Sequence, residues 1–204
     1  SMIIALSVMN GFESIVHNRL RGFEGDLNVP DTLSVSVFSD IPEIEIAMPY
    51  MERKGIIKDD QDNLIVIIKA IDENLMDEFY EMSFKGNPLK NGHIVIGQGL
   101  ANRLGKGVND EITLFSPIDQ VYGIGLPPMK KVKISAVFST KVLNYDDSYV
   151  FMTMNDGKNL FKRKNNFDGY DIKVYNEKMI ENTKLILYNF IGKNILIQSW
   201  QEKN

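Results

Sequence analysis

Apolar residues in this chain fall into short, separated runs, and their spacing changes character along the first helix. Met2 to Met9 (MIIALSVM) carries no charge. From Phe12 the spacing turns helical: Phe12, Ile15, Val16, Leu20 and Phe23 share a face, with Glu13, His17, Arg19 and Arg21 between them. A helix apolar all round at its start and one-sided later is leaving one solvent for another. We expect a transmembrane helix interrupted at its outer end, and the chain as a soluble piece of a membrane protein. The apolar run rises only about 12 Å, against the ~20 residues needed to cross a bilayer. The alternative is an N-terminal helix buried in the core; a cleaved signal peptide fits poorly, for want of a basic start and a small-residue cleavage site.

Strand patterns follow. Leu33 to Phe38 (LSVSVF) alternates with period two between Pro30-Asp31 and Asp40 and predicts a strand, as does Ile44 to Met48. Gly55 to Lys58 and Leu64 to Ala70 flank the turn-forming run Asp59 to Asn63 and predict a hairpin. A short helix is expected at Glu73 to Phe79. Ile94 to Ile96 should lead through Gly97 into a helix at Leu100 to Leu104, stopped by Gly105. Further strands are expected at Glu111–Phe115, Lys131–Phe138, Tyr149–Met154, Tyr170–Tyr175 and Ile195–Ile197. Helices are expected at Asp156–Phe161 and along a face marked by Met179, Thr183, Ile186 and Phe190. Strands and short helices mix without a regular βαβ repeat, so the fold class is α+β. The pattern divides into an emergent helix at 1–26, one subdomain from 27–66 with 155–204, and a strand-rich insertion at 67–154.

Composition changes this picture little. The 204 residues can bury a real core, and a net charge of −4 offers no basic field for nucleic acid. The absence of cysteine removes disulfides, thiolate catalysis and cysteine zinc sites. Gly97, Gly99, Gly105 and Gly107 approach a phosphate loop, but the spacing is one residue too long and Gly107 occupies the place of the magnesium-binding hydroxyl. Asp59, Asp60 and Asp62 lack the turn glycine and distant glutamate of a calcium loop. The two histidines, His17 and His93, have no ligand spacing. We expect no catalytic residue, no metal, no cofactor and no enzyme activity.

One loop stands apart. Ser116 to Met129 (SPIDQVYGIGLPPM) is far longer than a hairpin turn and sets Ile118, Val121, Tyr122, Ile124 and Leu126 among Pro117, Pro127 and Pro128. Exposing so much apolar surface is costly unless something covers it. Either the loop folds back as a plug on its own domain, or it is a stiffened prong that docks to another protein.

Several stretches together resemble a known family: SVMNGFE at Ser7–Glu13, IKAID at Ile68–Asp72, IGQGLANRLG at Ile96–Gly105, YDDSYVFM at Tyr145–Met152 and SWQEKN at Ser199–Asn204. With the strand–loop–strand at Glu111–Phe138, they run in order along the chain and are similar to the extracytoplasmic domain of LolC/LolE-type lipoprotein-releasing permeases, within the MacB/FtsX-like ABC-transporter superfamily.

The resemblance implies a MacB-like periplasmic core: a βαβ-rich membrane-proximal subdomain with an inserted strand-rich one, in the bacterial inner membrane and facing the periplasm. It implies membrane helices on both sides, a LolD-like cytoplasmic ATPase, a second permease subunit (LolE-like or a second copy) and an acylated lipoprotein cargo. In LolC-like members a proline-bearing hook recruits the periplasmic carrier LolA. Here the hook would be Pro117, Ile118, Asp119, Gln120, Val121, Tyr122, Gly123, Ile124, Gly125, Leu126, Pro127 and Pro128, with Lys130 and Lys131 at its base; its presence points to LolC or a combined LolF-like subunit. Thr113 replaces the family's basic residue before the hook. A MacB-like efflux or export permease and an FtsX-like regulator of cell-wall hydrolases are the alternatives.

Overall fold

The computed structural model describes residues 2–31, 33–58, 63–116, 128–162, 167–192 and 195–203, without the side chains of 2–10 and 203. Helix α1 (Met2–Glu24) leads into β1 (Leu27–Pro30), α2 (Val35–Ser39) and the long strand β2 (Ile44–Lys58). The middle of the chain comprises β3 (Asn63–Ile71), a 3-10 turn at Glu73–Leu75, α3 (Met76–Phe79), β4 (Ser83–Gly86), β5 (His93–Gly97), α4 (Gln98–Leu104), β6 (Glu111–Phe115) and β7 (Met129–Ser139). Then come α5 (Leu143–Ser148), β8 (Tyr149–Thr153), α6 (Met154–Leu160), β9 (Gly169–Val174), a 3-10 turn at Glu177–Met179, α7 (Ile180–Ile191), β10 (Gln198–Ser199) and α8 (Trp200–Lys203).

One strand organises the whole. The first half of β2 pairs with β9, extending a sheet in the order β10-β1-β9-β2, while its second half pairs with β3. The sheet continues through β8, β5 and β7 to β6, and β6 returns to the end of β2 through Ile56↔Phe115, Ile57↔Leu114 and Lys58↔Thr113. This closes a barrel of β2, β3, β8, β5, β7 and β6. Closure depends on Gly55: a Cβ there would lie 2.3 Å from Ile68 Cδ1 and 2.8 Å from the Phe115 carbonyl, so only glycine lets β6 come this close.

Alternation sorts the barrel side chains. Ile57, Val66, Ile68, Ile94, Ile96, Leu114, Val132, Ile134 and Val150 fill the interior, together with Leu100 and Leu104 of α4 and Leu160 of α6. A second cluster on the outer face of β8, β5 and β7 receives Phe23 from α1 and Phe79 from α3. A third joins Leu27, Val29, Tyr170 and Ile172 of the open sheet to Phe38 of α2 and Leu187 of α7. The fold is thus α+β, as expected. The pattern-based boundary at 66/67 falls within β3, whose full length is hydrogen-bonded to β2.

Four expectations fail for local reasons. Leu33–Phe38 is not a strand: Val35–Ser39 is helical, and the residues turned to the core, Leu33, Val37, Phe38 and Ile41, follow helical spacing. The last strand is Gln198–Ser199 rather than Ile195–Ile197, because it is these two residues that pair with β1, through Leu27↔Ser199 and Asn28↔Gln198. Helix α7 buries Thr183 and Leu187, while Met179 and Phe190 stay 38% and 55% exposed; Met179 lies in the preceding 3-10 turn, which shifts the phase of the helix behind it. On α1, Phe23 is buried, but Phe12 and Ile15 are 66% and 50% exposed. Among the side chains described, those of the last turns meet the domain. Among the described residues no helix is long and apolar enough to cross a membrane.

Candidate functional site

The predicted hook leaves the barrel between β6 and β7. Residues 117–127 lie outside the described residues, so the structure places its base alone. There Phe115 pairs with Met129, and the Ser116 N–H donates to the Pro128 carbonyl at 3.2 Å. Pro128 is half-buried and Met129 is 54% exposed.

The two lysines predicted at this base part company, because neighbours on a strand face opposite ways. Lys130 turns inward, and its Nζ donates to Asp156 Oδ1 at 2.5 Å. Asp156 is buried at the start of α6; its Oδ2 also accepts the Gly92 N–H at 2.6 Å, and its own N–H is capped by Thr153 Oγ1. The Lys130 charge therefore ties β7 to α6. Lys131 faces solvent.

Thr113 sits directly between two lysines, paired to Lys131 on one side and to Lys58 on the other. Residues opposite one another in a ladder share a face, so Lys58, Thr113 and Lys131 make a row across three strands. Lysines therefore flank Thr113 on both sides. The place of Lys58 in this row was invisible in the sequence, because no signal there announces that β2 pairs with β6.

A second constellation lies where the barrel meets the open sheet. Lys69 on β3 and Asp171 on β9 are both buried, with Nζ to Oδ2 at 2.5 Å. Asn28 Nδ2 donates to Asp171 Oδ1 at 2.7 Å and to Tyr50 Oη at 2.9 Å. Burial alone would depress the Lys69 ammonium, but Asp171, with Glu52 and Glu24 farther off, outweighs it and holds the pKa well above its usual value. The Lys69 ammonium stays charged in the core. The neighbouring Tyr80 hydroxyl is buried with no hydrogen-bond partner among the described residues, and desolvation raises its pKa.

The end of α1 is bolted onto this junction. Phe23 stacks on Tyr145 with ring centres 4.1 Å apart, meets Tyr149 edge-on at 4.9 Å, and is closed in by Tyr80, Phe138 and Phe151. Tyr145 Oη donates to Glu24 at 2.9 Å. Arg21 forks onto both oxygens of Asp26, and Asp26 Oδ2 accepts the Val174 N–H at 2.8 Å. One turn of helix thus grips the barrel through Phe23 and Glu24 and the open sheet through Arg21.

The remaining motifs are accounted for locally. Gly97 precedes α4 and Gly105 ends it at φ 61°, a left-handed helix stop. His17 Nε2 donates to Glu177 Oε1 at 3.3 Å and meets Trp200 edge-on, and His93 Nδ1 lies 3.1 Å from the Asn91 carbonyl. The Asp59–Asp62 run lies outside the described residues. Among the described residues no three acidic or histidine side chains gather as metal ligands.

With this geometry in view, the comparisons are informative. The periplasmic region of MacB from Actinobacillus actinomycetemcomitans superposes with a TM-score of 0.60 over 92% of this chain and 94% of that one, at 12% identity. The fold is that of the MacB periplasmic region. The extracellular domain of the noncanonic ABC-type transporter YknZ from Gram-positive bacteria matches with a TM-score of 0.57 over 85% of this chain and 97% of that one, at 10% identity. No protein-family model and no curated protein matches the sequence.

Proposed function

We propose that this chain is the extracytoplasmic domain of an ABC-transporter permease of the MacB/FtsX type, facing the periplasm from a bacterial inner membrane. The observation that carries the reading is the near end-to-end likeness to the MacB periplasmic region, with neither chain leaving a large part unmatched. The domain performs no chemistry on this reading. A cytoplasmic ATPase supplies the energy, membrane segments pass the motion to α1, and the Phe23–Tyr145 and Arg21–Asp26 contacts deliver it to barrel and sheet together. Purification of the full-length permease in detergent tests this: an ABC ATPase subunit should co-purify, and ATP hydrolysis should depend on it alone. Hydrolysis by the 204-residue domain would overturn it.

MacB-like export is the finer reading that the fold favours. Release of lipoproteins to a LolA-like carrier is a second reading, supported by the proline-bounded apolar loop and by the Lys58–Thr113–Lys131 row at its base. There Pro117–Pro128 would be the docking prong, Lys131 and Lys58 the solvent-exposed rim, and Lys130 a residue that positions the prong through Asp156. Extracting acyl chains costs about 0.8 kcal/mol per CH₂ exposed to water, so such a hand-over must be sheltered. Replacing 118–126 by a short Gly/Ser turn separates the readings. Loss of LolA-like carrier binding in a pull-down supports lipoprotein release, and a parent domain that never binds the carrier leaves export.

A further inference from the structure

The sheet ends at β4, which hydrogen-bonds to β7 on one side and to no strand on the other among the described residues. The Asn87 N–H donates to the Ser135 carbonyl at 2.8 Å, and the register runs on as Gly86↔Ala136, Lys85↔Val137 and Phe84↔Phe138. Hydrogen-bonded and non-hydrogen-bonded pairs alternate along an antiparallel ladder. Lys85 therefore directs its backbone groups to β7, while the N–H and C=O of Phe84 and Gly86 point along the open edge. Phe84 and Gly86 also line a cavity of about 150 Å³ floored by Met76, Leu89, Val95 and Ala136. Gly86 contributes no side chain to it, so the space lies beside the backbone groups that lack a strand partner. Asp77 stands at the cavity mouth, and Asp77 and Glu78 are both exposed.

We propose that this edge takes an extended segment of another protein, which adds a strand to β4, sets one apolar side chain in the cavity and carries Lys or Arg beside it. Main-chain pairing supplies affinity in such strand addition, and a pocket for alternate side chains supplies choice. A volume of about 150 Å³ is room for a benzene ring, and Met76, Phe84, Leu89, Val95 and Ala136 give the cavity an apolar side, so Phe or Leu fits. The basic neighbour answers the Asp77 and Glu78 carboxylates. Four residues bearing Lys85 are too short an edge to template aggregation, yet they offer four backbone groups to a short strand. The proposal goes beyond the transporter reading and does not rest on it.

The test is selection from a randomised octapeptide library displayed against the 204-residue chain. Selected peptides should alternate in polarity, carry Phe or Leu next to Lys or Arg, and slow hydrogen exchange at the Phe84 and Gly86 amides. They should bind Asp77→Lys at least tenfold more weakly. They should also fail on Phe84→Pro, which deletes an outward N–H without touching the bonds to β7. Asp77→Lys changes an exposed side chain alone, so it decides the matter even where Phe84→Pro does not fold. No enrichment over an unrelated protein, or selected peptides that bind Asp77→Lys as they bind the parent, would overturn the proposal.

Discussion

Phe23 is the residue on which the attachment of α1 turns. It lies in a cage of five aromatic rings, Tyr80 just after α3 with Phe138, Tyr145, Tyr149 and Phe151 of β7, α5 and β8, so truncation leaves a cavity that the rigid ring stack cannot close. Phe23→Ala should cost about 3–5 kcal/mol, read as a fall in the urea midpoint at unchanged slope. The buried Lys69–Asp171 pair makes a different prediction. Asp171→Ala strands an ammonium in the core and should cost about 3–5 kcal/mol, whereas the double change Lys69→Met/Asp171→Leu should recover most of it. Linked to both is a dependence on alkaline pH. Burial raises the pKa of Tyr80, Tyr145 and Tyr149, and the surrounding carboxylates overcome burial to raise that of Lys69. All four groups hold their protons more tightly folded than unfolded. As pH climbs past about 10 the unfolded chain loses protons first, so stability is full below that point and falls above it. Urea midpoints that stay level to pH 11 would contradict this.

At the scale of elements, much was legible and the exceptions are instructive. The hairpin of β2 and β3, the α4 stop at Gly105 and the β6 ladder follow directly from alternation and turn residues. The 33–38 segment misled because its alternation is a by-product: Leu33, Val37, Phe38 and Ile41 reach one apolar face only as a helix turn. Strands β1 and β4 are too short for a period to show, and their pairing partners lie far along the chain. For the same reason the loop base was half legible: Lys130 and Lys131 were visible, but the inward turn of Lys130 and the company of Lys58 come from tertiary pairing. Helix α1 divides likewise. Its apolar face was legible throughout, but between residues 11 and 24 contact with the domain belongs to the later turns. Amides at 20–24 should therefore exchange slowly and those at 11–16 quickly, and Tyr145→Phe, which removes the hydroxyl that donates to Glu24, should speed the first group without altering the second. Uniform exchange along the helix would show that the grip is not local.

As a whole molecule, the domain is two β structures sharing one strand, so β2 cannot move in one without loading the other. It gives α1 a single point of purchase on both, as the proposed passage of motion from the membrane requires. If the account is right, this domain stands outside the cytoplasm on a membrane permease. The chain has no cysteine, so in a full-length protein cleared of any cysteines outside these 204 residues, a single exposed site such as Asn87→Cys reports its side of the membrane. A membrane-impermeant maleimide should label that cysteine in spheroplasts as fully as in lysed cells. Labelling only after lysis would place the domain in the cytoplasm and contradict the account.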